Sequence, residues 1–157
     1  MKNTKKIVSL LLVLLLLLTG CGGEVPEETT ETQLTEGTSV TYYHGNAGSS
    51  QFVAEETLIP KLTAQALLDL LIEQKVIPQG TRVRNFRVSH GIINLDVTAE
   101  FETEVQSLGG HAEHIMVGSL VNTFLTTYEA TGLELTTEGR ILKTKRNIYD
   151  GVLEFFQ

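Results

Sequence analysis

The stretch from His111 to Tyr128 constrains this chain more than any other. Val117, Leu120, Val121, Phe124, Leu125 and Tyr128 follow one another at spacings of three, one, three, one and three. On a period of 3.6 residues they form one continuous apolar face. Ser119, Asn122, Thr123 and Thr127 occupy much of the remaining circumference. A helix with one wide apolar face must bury it against another layer, and the segments around it read as a sheet.

A second helical pattern runs from about Thr63 to Gln74, just after Pro60. Ala66, Leu67, Leu70 and Leu71 share a stripe, and Thr63 is placed to act as the N-cap. The other apolar runs read as strands. Val40–Tyr43 and Gln51–Ile59 flank a loop of glycines and short polar residues, with Glu55 and Glu56 at a bulge or an exposed edge. Pro78 and Gly80 turn the chain into Arg82–Val88, which pairs with Ile92–Val97 through Ser89-His90-Gly91. Ile93, Leu95 and Val97 alternate with Asn94 and Asp96, whereas Val83 breaks the parity of Phe86 and Val88 and calls for a bulge or burial on both sides. Thr98 to Gly110 reads as a connection, with Glu100, Glu102 and Glu104 in solvent. Gly132 is expected to stop the long helix. Leu133–Thr137 and Ile141–Thr144 bracket a turn, and the apolar tail needs cover as a last strand or a packed segment. The expected fold class is α/β of the α+β type: a single compact domain with two main helices packed on a mixed or antiparallel sheet.

The N-terminus carries a different signal. Lys2, Lys5 and Lys6 precede an apolar run from Ile7 to Leu18, broken only by Ser9, and Leu18-Thr19-Gly20-Cys21 closes it. This is a secretory pattern, with an apolar segment shorter than the ~20 residues a spanning helix needs. The last four residues resemble a bacterial lipobox. That resemblance implies diacylglycerol on the Cys21 sulfur and removal of residues 1–20 as a signal peptide. Each acyl CH₂ in the membrane contributes about 0.8 kcal/mol, so several chains hold a protein firmly. The expected location is the outer face of the cytoplasmic membrane, lipid-anchored.

Cys21 is the only cysteine. Once acylated, it leaves no thiol for a disulfide, a zinc thiolate site or a nucleophile, so the fold must rest on packing. Residues 21–39 carry Glu24, Glu27, Glu28, Glu31 and Glu36 with no basic residue and little apolar surface. They read as a flexible acidic tether, and residues 40–157 as the folded domain. Removing residues 1–20 takes away three lysines and no acid, moving the formal net charge from −7 to −10. That balance argues against a nucleic-acid partner and against a polybasic membrane surface.

Residue groups suited to chemistry are sparse. His111 and His114, with Glu113 between them, could share a helix face and offer two zinc nitrogens. HAEH lacks the HExxH spacing, and a third ligand would have to come from Glu102 or Glu104. A solvated helix start, with Glu113 favoured by the helix dipole, accounts for them more simply. Asp96 with His90, or His44 with Ser49 and Ser50, invites comparison with acid–base and nucleophilic sites, but no nucleophile-elbow motif surrounds a serine. Glu55, Glu56, Asp96, Glu100 and Glu102 supply carboxylates without the geometry of a glycosidase pair. No catalytic residue, metal or cofactor is expected.

From Val40 to Gly139 the order of VTYY, LLDLLIE, IPQGTRV, IINLDVTAEF, SLVNTFLTTY and LELTTEG resembles the GerMN domain family, a module of sporulation, spore-germination and other bacterial lipoproteins. The resemblance implies an α/β domain similar to ring-building modules of spore-envelope complexes, in a Gram-positive bacterium. Pro78, Gly80, Asp96 and Asn122 match family positions as structural residues, with Asp96 organising backbone and Asn122 tying its helix to a loop. Only one module is apparent. The expected function is a non-enzymatic, membrane-tethered domain for protein interaction or envelope assembly, with an envelope protein as partner or a second copy in a homo-oligomer. The alternatives are a lipoprotein that binds envelope glycan or a small ligand, and a metal-dependent hydrolase.

Overall fold

A computed structural model describes residues 37–46 and 51–157, all within the unit Thr35–Gln157. The signal peptide, Cys21 and the tether through Glu36 lie outside the described residues, as do Ser49 and Ser50. Strands β1 (Thr38–Gly45) and β2 (Phe52–Ile59) form an antiparallel ribbon. Helix α1 (Ala64–Glu73) leads to the β3 (Val83–Ser89) and β4 (Ile92–Val97) hairpin. Helices α2 (Ala99–Ser107) and α3 (Gly110–Thr127) follow, then β5 (Gly132–Thr137), β6 (Arg140–Lys143) and β7 (Ile148–Tyr149). The second sheet has the order β3-β4-β5-β6-β7. It is mixed, because β4 and β5 run parallel while the other pairs are antiparallel.

The expected pair of main helices is corrected to three, because Thr98 to Gly110 is mostly helix rather than a connection. Phe101 and Val105 are fully buried and four residues apart, so a single narrow stripe docks this helix on the core. Its start is secured from a distance. The Thr98 hydroxyl is taken up by the preceding turn, accepting from the Arg82 N–H at 3.0 Å and donating to the Gly80 carbonyl at 3.3 Å. The Ala99 N–H donates instead to Glu138 Oε1 at 3.2 Å. A cap supplied from the β5–β6 turn leaves no local start signal in the sequence.

The core lies between the helices and one face of the mixed sheet. Register places Ile93, Leu95 and Val97 of β4 beside Leu133, Leu135 and Thr137 of β5, all buried. The α3 stripe covers them with Val117, Leu120, Val121, Phe124 and Leu125. The opposite face carries Arg87, Asn94, Glu134 and Thr136 and is exposed or half-buried. The parity problem at Val83 is resolved by a register shift between Val83 and Asn85, which is a bulge that re-aims Val83. Thr63 caps α1, its hydroxyl accepting from the Ala66 N–H at 3.0 Å.

Two ends differ from their sequence reading. Helix α3 stops before Gly132, because Glu129 takes the left-handed conformation at φ 50° and the Ala130 N–H returns to the Leu125 carbonyl. Gly132 opens β5 instead. The tail is packed: Leu133 and Leu153 exchange backbone hydrogen bonds at 2.9 and 2.8 Å. Near the other end of the chain, the free edge of β1 is closed by α3, whose Thr123 hydroxyl accepts from the Tyr43 N–H at 2.9 Å. This crossing requires Gly118, where an added Cβ would lie 2.5 Å from the Phe52 ring and 2.9 Å from Phe156.

Candidate functional site

The ribbon register sets Tyr42 directly opposite Glu55, with His44 two residues further along the same face of β1. Tyr42 is buried and its hydroxyl donates to Glu55 Oε2. His44 Nε2 lies 3.2 Å from Glu55 Oε1, and its Nδ1 lies 3.0 Å from the Gly45 carbonyl. The hydrogen bond to Glu55, with burial and the carboxylate charge behind it, pushes the Tyr42 hydroxyl up to about 12. The same hydroxyl and the His44 ring hold Glu55 below the usual carboxylate range.

These three side chains form one wall of a cleft of about 690 Å³. The end of α1 and the start of α3 form the others. Lys75 closes α1 in the left-handed conformation at φ 59°, its N–H donating to the Ile72 carbonyl and that of Val76 to the Leu71 carbonyl. That tight stop brings Lys75 and Val76 to the cleft, where His111, Ile115 and Met116 of α3 and the preceding Leu108 also line it. The arrangement offers a charged end and an apolar wall. The Tyr42 hydroxyl is committed to Glu55, and among the described residues no serine, threonine or cysteine lines the cleft. Tyr42 and Lys75 carry no sequence signal for this role, since only the ribbon register and the α1 stop unite them.

Glu113 is not solvated, as the sequence suggested, but fully buried. Its Oε1 accepts from Thr144 Oγ1 at 2.8 Å, Asn147 Nδ2 at 2.8 Å and the Tyr149 hydroxyl at 2.9 Å. Burial pushes its carboxyl up, but these three donors and the nearby Arg146 charge outweigh burial and hold it below the usual range. Burial and the Glu113 charge raise Tyr149. Glu113 therefore fastens the start of α3 to the β6–β7 segment. His111 and His114 diverge: His111 lines the cleft, while His114 lies against Phe52 and Phe156 on the tail side. Among the described residues no group of three or more His, Cys, Asp or Glu is arranged to hold a metal.

Asp96 sits at the end of β4 away from the turn that carries His90, so the two are not brought together. Its Oδ1 accepts from Thr136 Oγ1 and from the Gly139 N–H, each at 2.8 Å, and its Oδ2 from Arg84 at 2.6 Å. Glu102 accepts from Thr137 at 3.1 Å beside Arg140. These carboxylates hold the β5–β6 turn and do not face one another across a cleft. Asn122 clasps the tail on both sides of one residue, donating to the Phe156 carbonyl at 2.9 Å and accepting from the Phe156 N–H at 2.8 Å. The Pro78 carbonyl accepts from the buried Thr81 hydroxyl at 2.9 Å. Gly80 has φ 87°, with Glu100 packed where a side chain would project.

Residues 40–143 match the profile of a family described as Germane, sporulation and spore germination. No protein of curated function matches significantly. Solved structures share the fold. The first GerMN domain of the sporulation protein GerM from Bacillus subtilis aligns with a TM-score of 0.52 at 19% identity, over 74% of this chain and 92% of that one. The tandem GerMN domains of the same protein align at 0.54 and 13%, over 82% of this chain and 48% of that one. A candidate lipoprotein from Clostridium perfringens aligns at 0.50 and 13%, over 77% and 89%.

Proposed function

The chain belongs to the Germane family of sporulation and spore-germination domains, and from that premise we propose that it is a non-enzymatic contact module of the cell envelope. The observation that carries the reading is the family match over residues 40–143 together with the shared fold of the first GerMN domain of GerM. In this reading residues 1–20 are removed as a signal peptide, Cys21 carries lipid, and residues 21–39 tether the domain of residues 40–157 outside the cytoplasmic membrane of a Gram-positive bacterium. Pro78, Gly80, Asp96 and Asn122 serve the fold. The packing supports a role in contact: helices cover one face of the mixed sheet, and among the described residues the opposite face with Arg87, Asn94 and Glu134 is exposed or half-buried and available to an envelope protein.

Lysine-directed cross-linking in intact cells, with the tagged full chain and mass-spectrometric identification, tests this reading. The expected result is one envelope protein, or a second copy of the chain, enriched over cells expressing Cys21→Ser. Equal recovery from both chains contradicts a lipid-anchored contact module.

A further inference from the structure

We propose that the cleft between the β1–β2 ribbon and the facing ends of α1 and α3 binds a small organic carboxylate with a branched aliphatic body. At about 690 Å³ its volume falls in the range of small-molecule sites, which runs over roughly 300–1,000 Å³. Its composition also fits that class, with an apolar wall and a few convergent polar groups.

The sign of the ligand follows from which charges are already used. Among the described residues Glu55 is the only carboxylate that lines the cleft, and both its oxygens are engaged, one by Tyr42 and the other by His44. Each oxygen already holds one neighbour in the ribbon, so Glu55 draws a cationic ligand less than an unpaired carboxylate would. Among the described residues the Lys75 ammonium enters no salt bridge. The charge available to a ligand is therefore positive. A single ammonium suits a carboxylate, whereas a phosphate normally draws on an arginine fork or a nest of backbone N–H groups. The body of the ligand is set by Val76, Leu108, Ile115 and Met116, which are all half-buried and line the same cleft. Their partly exposed surface gains from covering by a branched alkyl group. The Tyr42–Glu55–His44 chain fixes the far wall, so the cleft is formed before a ligand arrives. This site is independent of the open sheet face and of the contact role assigned to it.

Saturation-transfer difference NMR tests the proposal on the full chain in lipid nanodiscs, with empty nanodiscs subtracted. The probes are N-acetyl-leucine and its carboxamide. The expected result is saturable transfer to the leucine methyls of the acid, with the carboxamide about tenfold weaker, a difference of about 1.4 kcal/mol. Lys75→Gln should remove the preference for the acid, and Lys75→Arg should keep it. Ala112→Phe, placed at an exposed position of α3 that lines the cleft, should abolish binding of both probes while the melting temperature stays near that of the parent. Equal response to acid and amide, no saturable transfer above empty nanodiscs, or binding that survives both Lys75→Gln and Ala112→Phe overturns the proposal.

Discussion

Glu113, buried at the start of α3, holds that helix to the β6–β7 segment through one carboxylate oxygen. One acid in the first turn of a helix looks like a partner for the helix dipole. Its real partners, Thr144, Asn147 and Tyr149, lie 31, 34 and 36 residues further on, and no local pattern links them. Glu113→Ala strips the acceptor from three donors around a buried site and should lower unfolding stability by about 3 kcal/mol in urea denaturation. Glu113→Gln keeps an oxygen in place and should lose less. The pH dependence follows from the direction of the shift. Because the folded carboxyl is held below its ordinary value of 4.5, its contribution is present above that pH and is lost as pH falls through and below it. Stability measured from pH 6 down to pH 3 should therefore fall less steeply for Glu113→Gln than for the parent. The neighbouring histidines carry the same lesson, since adjacency on the helix sends His111 to the cleft and His114 to the tail.

At the scale of elements, legibility depended on whether the signals were local. Helix α1 was readable because its Thr63 cap and leucine stripe are contiguous, and the β3–β4 hairpin because its alternation flanks an evident turn. Helix α2 was not, since its cap comes from Glu138, 39 residues away, and only Phe101 and Val105 anchor its apolar side. Glu138→Ala should fray that start, costing about 1 kcal/mol and speeding amide exchange at Ala99 to Glu102 while leaving α3 protected. Tail packing is a second such case. Asn122 read plausibly as a tie from α3, but sequence did not identify Phe156 as what it holds. Asn122→Ala removes both hydrogen bonds to the Phe156 backbone and should cost about 2 kcal/mol. Limited proteolysis should then cut the tail after Leu153 faster than in the parent, with the β3–β4 hairpin unaffected.

For the whole molecule, sequence conveyed the α+β class and helices layered on a sheet that it left as mixed or antiparallel, because the apolar face of α3 demanded a sheet and the strands alternated; it counted two main helices where there are three. It did not convey the separate β1–β2 ribbon or the parallel β4–β5 pairing. The parallel pairing follows from the crossover through α2 and α3 between β4 and β5, and the ribbon is held by α3 through contacts such as Tyr43 with Thr123. The cleft was equally hidden, being assembled from the ribbon, the end of α1 and the start of α3. Among the described residues, the face of the mixed sheet opposite the helices is left uncovered, and the proposed contact function rests on it. Photo-cross-linking residues placed singly at Arg87, Asn94 and Glu134, and at Glu73 on the outside of α1 as reference, test that claim most directly in living cells. A discrete adduct of the same mass is expected from the sheet-face positions and none from Glu73. Absence of any discrete adduct from the sheet face, or the same adduct from Glu73, would contradict it.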